Sequence, residues 1–441
     1  MNRGALRDWH PGRALLLLTW LMTATSYMTL FLGAAYEREG FSPRHLLLAQ
    51  LITQALLILA ALWTFRDGTF SLVRLSERRP KLLLYGGGAL QAALLVVMAF
   101  VMISWNDEVS NLEQARYLAQ HGLRGWLTDY EKINGWLGPH HPPLLALLYG
   151  AFYALAGPHL LAGRLFNIAC SLAALALSVR VVRRLTDAPT AALSLWCWPL
   201  FPLWLFSGTS ALMEGPFLLV LMLMVDLFVG YLQQGGAWRA ALVGLLLAVG
   251  ALCRYNAVLF VPGMIVALWL TRRAGQPRKE AIWTLLLPAL ILLPLILLAM
   301  GSGVLFSQAA RLSWLFLLLR PGGVDHLFSI VLPLWSLHFG AHLAPLGLPA
   351  FAALWRATTG DRVLLALGGL YLLIAALIIP NPRYLLPSLP FAAAGLARVL
   401  QWVERREAGA TAVWAATWGA ALVLTALVIV DSRLDYFYPF Y

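Results

Sequence analysis

Along most of the chain, apolar runs alternate with short polar breaks, and many are long enough to cross a bilayer, which takes about 20 residues as a helix. The pattern predicts spans at 14–35, 45–65, 82–103, 164–181, 188–206 and 217–232. Residues 240–271 are too long for one span and have basic residues on both sides. They read as two short helices meeting at Cys253-Arg254-Tyr255-Asn256. Further spans fall at 281–300, 327–350, 362–379, 385–400 and 411–430, giving about thirteen crossings. No ten-residue alternation suggests a barrel. The expected fold class is an all-α polytopic membrane protein.

One polar segment, 104–163, breaks this pattern. It opens with Trp105-Asn106-Asp107-Glu108 and contains His140-His141-Pro142-Pro143. Within it, 109–120 has helical periodicity, with Leu112, Ala115 and Ala119 on one face. Ser110 and Glu113 have the spacing of a capping box. His121-Gly122 should end that helix, because glycine suits the left-handed cap position. Gly125, Gly135 and Gly138 predict irregular chain. A second short helix over 144–156 stops at Gly157-Pro158 and is too short to span, so it should lie at the interface or in the outer face.

Charge sets the sidedness. Basic residues cluster at 66–81, 180–184, 239, 272–279, 356–362 and 405–406, the signature of cytoplasmic loops. With the N-terminus inside, three spans put 104–163 outside. The composition, 61% hydrophobic with 12% charged, excludes an ordinary soluble domain. The net charge of +12 belongs to these loops, so nucleic acid is not an expected partner. Cys170, Cys197 and Cys253 lie inside apolar runs and read as small core residues. The N-terminal run to Ala35 is longer than a signal-peptide core and reads as a retained helix.

On this topology the unusual polar residues gather on the outer face: Asp107, Glu108, Lys132, His140, His141, Arg164, Glu214, Arg254, Arg311, His326 and Arg383. Ionisable groups at membrane depth are functional candidates. A carboxylate beside a hydroxyl can take its proton during attack. Asp107 and Glu108 are adjacent, so one would face a reacting centre while the other orients a helper; Asp107 also suits a helix N-cap. Arg254 and Arg383, at outer helix ends, could stabilise a departing phosphate, or snorkel to headgroups. The prolines hold His140 and His141 in extended chain near the acids. His338 and His342 have a ligand spacing without matching acids or cysteines, so no metal is expected, although a divalent ion is conceivable. Trp105, Trp126, Tyr130, Trp136, Tyr436 and Tyr438 suit an interfacial belt; Trp126 and Trp136 could also stack on a sugar.

Several of these residues fall into a known order. Asp107-Glu108 is followed by Ala115-Arg116-Tyr117-Leu118-Ala119 with Gly122, then His141-Pro142-Pro143-Leu144, then Gly157 and Arg164. Glu214-Gly215-Pro216, Leu252-Cys253-Arg254-Tyr255 and Pro382-Arg383-Tyr384-Leu385-Leu386-Pro387 come later. The set resembles the C-type membrane glycosyltransferases (GT-C), in the branch of protein O-mannosyltransferases and the lipid A aminoarabinose transferase. The resemblance implies inverting sugar transfer from a polyprenyl-phosphate donor to a hydroxyl of a glycan, lipid or protein. It implies Asp107 as base, with Glu108 beside it. Arg254 and Arg383 would be donor-phosphate ligands, with Lys132, His140, His141, Glu214 and Tyr384 positioning substrate. No cofactor is implied. The expected place is a bacterial inner membrane with the site facing the periplasm. The chain then divides into two extra N-terminal helices with a basic loop (1–81), a catalytic membrane module (82–400) carrying the external loop 104–163, and a last helix with a short tail (401–441). A transporter or flippase of lipid-linked sugars is the alternative, and would need polar residues along a path to both faces. A polymerase or ligase of lipid-linked glycans should have a larger external loop.

Overall fold

The structure, a computed structural model, describes residues 72–101, 106–133, 144–211, 214–271, 278–300, 350–355, 358–378 and 382–404. All regular structure among them is helical. The spans expected at 14–35, 45–65 and 411–430, and nearly all of 327–350, lie outside these residues. So do His140, His141, Arg311, His326, His338 and His342.

After a short helix α1 (Leu72–Arg78), α2 (Pro80–Val101) leads to the polar segment. That segment forms α3 (Asn106–Ile133), kinked at Gly122, and α4 (Leu144–Ala156). A long α5 (Leu160–Leu185) follows, then α6 (Ala188–Cys197) and α7 (Pro202–Thr209), which are separated by a short interruption. Next come α8 (Glu214–Gln234), α9 (Ala237–Cys253), α10 (Phe260–Leu270) and α11 (Arg278–Met300). The described chain closes with α12 (Thr359–Ile378), a 3-10 turn over Pro382–Ser388, and α13 (Leu389–Glu404). Three of these helices, α2, α5 and α8, are individually long and apolar enough to cross a bilayer. Helix α8 packs between α5 and α9, α9 meets α11, α10 meets α12, and α6 lies against α2 and α13.

The α6–α7 interruption has a local cause. Pro199 and Pro202 lack the N–H groups that would continue the ladder, and the chain turns through a 3-10 segment, Trp198–Leu200. A carbonyl freed inside a membrane needs another donor. Gln91 of α2 supplies it, donating to the Leu195 carbonyl at 3.1 Å while its own oxygen accepts from the Trp204 indole at 2.7 Å. The α9–α10 break follows the sequence expectation. Arg254 is extended (φ −155°, ψ 133°), its N–H closes α9 on the Gly250 carbonyl, and a 3-10 turn over Tyr255–Leu259 starts the return.

Helix direction sorts the charges into two ends. Lys81 starts α2, Arg183 and Arg184 end α5, Arg239 starts α9, Arg362 starts α12 and Arg398 lies late in α13. These mark a basic end. Arg184 and Arg180 share Asp226 of α8, at 2.8 and 3.3 Å. Arg398 reaches both oxygens of buried Asp361 and one of Asp187, joining the starts of α12 and α6. Trp238, Trp269, Trp283, Trp355 and Trp402 are all exposed near this end, as membrane-interface tryptophans are. Arg164 stands at the opposite end of α5. Twenty residues of helix separate it from Arg184, about 30 Å, close to the thickness of a bilayer's hydrocarbon core.

Gly360, in the first turn of α12, makes the tightest backbone crossing at the basic end. A Cβ there would overlap the Leu185 carbonyl, and backbone cannot swing aside. Gly360→Ala is therefore expected to cost about 1–3 kcal/mol, read as a lower melting temperature in detergent. Gly88→Ala is the control, since its Cβ meets nothing within 4 Å.

Candidate active site

At the end opposite the basic cluster, the starts of α3, α5 and α8 are tied by two polar side chains on one face of α5. Arg164 and Asn167 lie three residues apart, hence one above the other. Arg164 grips Glu108 with both forks: Nε donates to Oε1 at 3.1 Å and Nη2 to Oε2 at 2.9 Å. Its Nη1 donates to the Ala99 carbonyl, in the last turn of α2, at 2.8 Å. Glu108 is fully buried, and its Oε1 also accepts from the Ala211 N–H at 2.6 Å. Asn111, one turn along α3, donates to the Ala211 carbonyl at 2.9 Å, so both sides of that residue are held by α3. Asn167 donates to the Ser207 carbonyl, and its oxygen accepts from the Gly215 N–H at 3.0 Å and from the Tyr149 hydroxyl at 3.2 Å.

Beside Gly215, Glu214 begins α8, where a negative charge suits the helix N-terminus. Its Oε1 accepts from Arg254 Nη2 at 2.7 Å, and both side chains are almost wholly buried. The guanidinium of Arg254 also lies over the ring of Tyr384, 5.0 Å from its centroid. Its Nε is buried and makes no hydrogen bond among the described residues. Arg254 is thus a buried cation with one acidic partner, an aromatic floor and donor capacity to spare.

The structure brings Glu108, Glu214, Arg254 and Tyr384 to one end of the bundle. Asp107 occupies the first turn of α3, Lys132 its last, and Arg383 the 3-10 turn beside Tyr384; of these three only the backbone is described. Ala211 and Glu214 are three residues apart, at most about 11 Å of chain. The start of α3 therefore lies close to the Glu214–Arg254 pair. Sequence reasoning placed Arg164 on this face without its role, and missed Asn111, Asn167, Asn256 and Tyr371. An asparagine in an otherwise apolar helix, such as Asn167, was the available signal.

Three expectations change. Helix α3 begins at Asn106, so Ser110 lies inside it and does not cap it, and Asp107 is a helical residue rather than the N-cap. Gly122 does take a left-handed conformation (φ 67°), but helix resumes beyond it to Ile133. Tyr117 clamps the two halves by donating to Asp129 at 2.7 Å, and that hydrogen bond holds its phenol above the ordinary pKa. Trp126 is neither an interfacial residue nor a sugar platform. It is fully buried against Ala146 and Leu252, because the resumed helix turns it into α4. By contrast α4 has the expected bounds, and Gly157 (φ 84°) ends it. Among the described residues no three His, Cys, Asp or Glu side chains gather as a metal-ion set.

The family described as dolichyl-phosphate-mannose-protein mannosyltransferase matches residues 140–298, from within the polar segment to the last turn of α11. No curated protein matches the chain. Two crystal structures of ArnT from Cupriavidus metallidurans share its fold. The form bound to undecaprenyl phosphate aligns with TM-score 0.56 and 14% identity, covering 79% of this chain and 77% of that one. The apo form aligns with TM-score 0.51 and 15% identity, covering 78% of each. The structural likeness shows a shared fold over most of the chain, and the family match falls on a stretch that holds several of the motifs named above.

Proposed function

We propose that the chain transfers a sugar from a polyprenyl-phosphate donor to an acceptor hydroxyl at the periplasmic face of a bacterial inner membrane. The observation that carries this reading is Arg254, a buried guanidinium held between Glu214 and the Tyr384 ring at the non-basic end. A lipid phosphate sits at that depth, and a fixed cation is worth more there than in water. The undecaprenyl phosphate bound by the similar ArnT structure is the model for such a donor. Sugar nucleotides are cytoplasmic, so an outer site needs a lipid carrier.

In this mechanism the Asp107 carboxylate takes the proton of the acceptor hydroxyl. The hydroxyl oxygen attacks the anomeric carbon, the bond from that carbon to the phosphate oxygen breaks, and the electron pair leaves on the phosphate. Attack from the face opposite the leaving group inverts the centre. Arg254 and Arg383 receive the growing charge. Glu108, clasped by Arg164, holds the start of α3. Glu214 orients Arg254, while Lys132, His140, His141 and Tyr384 border the sugar and acceptor. The acceptor is a glycan, lipid or protein hydroxyl.

Between the two ends α5 carries no charged residue from Leu165 to Val179. That is a poor lining for a flippase path. The test is purified protein in proteoliposomes with undecaprenyl-phosphate sugars. Glycoside formation with release of undecaprenyl phosphate is expected. Arg254→Gln should weaken undecaprenyl phosphate binding at least tenfold, the usual scale for a charge-assisted hydrogen bond. Lipid flipping without glycoside formation would replace the enzyme reading with the transporter.

A further inference from the structure

Arg254 and Arg383 come from chain segments more than a hundred residues apart, yet one phosphate could be met by both only if the two segments keep a fixed spacing. A single hydroxyl links them. Tyr371, on α12, is fully buried, with its ring 4.6 Å from that of Phe260. Its hydroxyl accepts from Asn256 Nδ2 at 2.7 Å, two residues beyond Arg254 in the break between α9 and α10. The same hydroxyl donates to the Tyr384 carbonyl at 2.6 Å, in the 3-10 turn that carries Arg383. Tyr384 in turn supplies the ring under the Arg254 guanidinium. The loop closes on itself: Arg254 to Tyr384 by ring contact, Tyr384 to Tyr371 by hydrogen bond, Tyr371 to Asn256 by another, and Asn256 to Arg254 along the chain.

Neither of the joined segments is a regular helix. Arg254 is extended, and the residues after it and around Tyr384 form 3-10 turns. Such turns have poorer internal hydrogen bonding than α-helix and rely on outside partners. The Tyr371 hydroxyl is an outside partner of each, through the Asn256 side chain and the Tyr384 carbonyl, and it stands on a helix packed against α10.

We infer that Tyr371 is a positioning residue for the donor phosphate, holding the Arg254 break and the Arg383 turn at the spacing one phosphate needs. This rests on the donor reading above. Tyr371 touches no substrate in this role. Its loss should weaken donor binding and leave the proton transfer at Asp107 alone.

The experiment uses the full chain in detergent and compares wild type, Tyr371→Phe, Asn256→Ala and the double variant. Phenylalanine keeps the ring on Phe260 and removes only the hydroxyl. Binding of undecaprenyl phosphate, donor KM and kcat for transfer, and melting temperature are measured together. Tyr371→Phe should raise Kd and donor KM by about tenfold, within the range for changes that act on a site without touching its ligand, with kcat within about twofold of wild type. Asn256→Ala should shift Kd in the same direction, and the double variant should add little to either, because both act through one hydroxyl. Unchanged Kd in Tyr371→Phe with wild-type binding intact would overturn the role of Tyr371 and leave the donor reading standing. A fall in kcat at constant KM would also overturn it. Wild type that bound no undecaprenyl phosphate would overturn the donor reading, and this inference with it. Should Tyr371→Phe fail to fold, the Kd of Asn256→Ala decides: a rise upholds the relay and no change removes it.

Discussion

Asp107→Asn is expected to lower kcat for sugar transfer by about a hundred- to ten-thousandfold, the range for loss of a general base, with undecaprenyl phosphate binding unchanged. The substitution keeps the size and hydrogen-bonding reach of the side chain and removes its ability to accept a proton. The adjacent acid cannot substitute. Glu108 gives both oxygens to Arg164, and one of them also to the Ala211 N–H, inside a buried site. A carboxylate base also predicts an acid limb in the pH–rate profile, with activity falling as pH drops through its pKa. The residual rate of Asp107→Asn should lack that limb. The split between kcat and donor binding is the diagnostic part, because a misfolded protein would lose both. Full activity in the variant would remove Asp107 from the mechanism.

The engagement of Glu108 was only half visible in the sequence. Asp107-Glu108 stood out because carboxylates are rare beside an apolar run. Which of the two was committed elsewhere depended on Arg164, 56 residues along the chain. A long-range pairing of this kind leaves no local periodicity to read. Helices declared by unbroken apolar runs were legible: α2, α5, α8 and α12 lie within a few residues of the expected bounds. The breaks were legible where chemistry interrupted the run, at Gly157-Pro158 and at Arg254. They were hidden where the interrupting residues were themselves apolar. Pro199 and Pro202 divide the expected 188–206 span, yet hydropathy passes over them. Trp126 misled for the opposite reason. An aromatic in a polar loop suits an interface, but helix resuming after Gly122 turned it inward. The role of Tyr371 could not be read from sequence either. A tyrosine in a membrane helix is ordinary, and only the meeting of Asn256 and Tyr384 at its hydroxyl distinguishes it.

Arg164→Met is the stability counterpart of Asp107→Asn. Methionine fills much of the arginine's volume but removes the guanidinium that donates to both Glu108 oxygens. Removing one member of a buried pair typically costs about 3–5 kcal/mol, because the remaining charge is uncompensated. Here the Ala99 carbonyl also loses its donor. The ties that hold α2, α3 and α5 together at the site end would go at once, so low yield and a large fall in melting temperature are expected. Glu108→Gln with Arg164→Met should recover a substantial part of that loss, since the double variant buries no charge. The coupling between the two sites is then the measured quantity, obtained from melting of both single variants and the double one. Activity separates the structural part from the catalytic part. If the clasp serves to place Asp107, the recovered double variant should bind undecaprenyl phosphate normally and still transfer slowly, because the start of α3 is no longer fixed against α5 and the end of α2. A double variant that was both stable and fully active would show that Glu108 and Arg164 hold the bundle together without setting the geometry of the base.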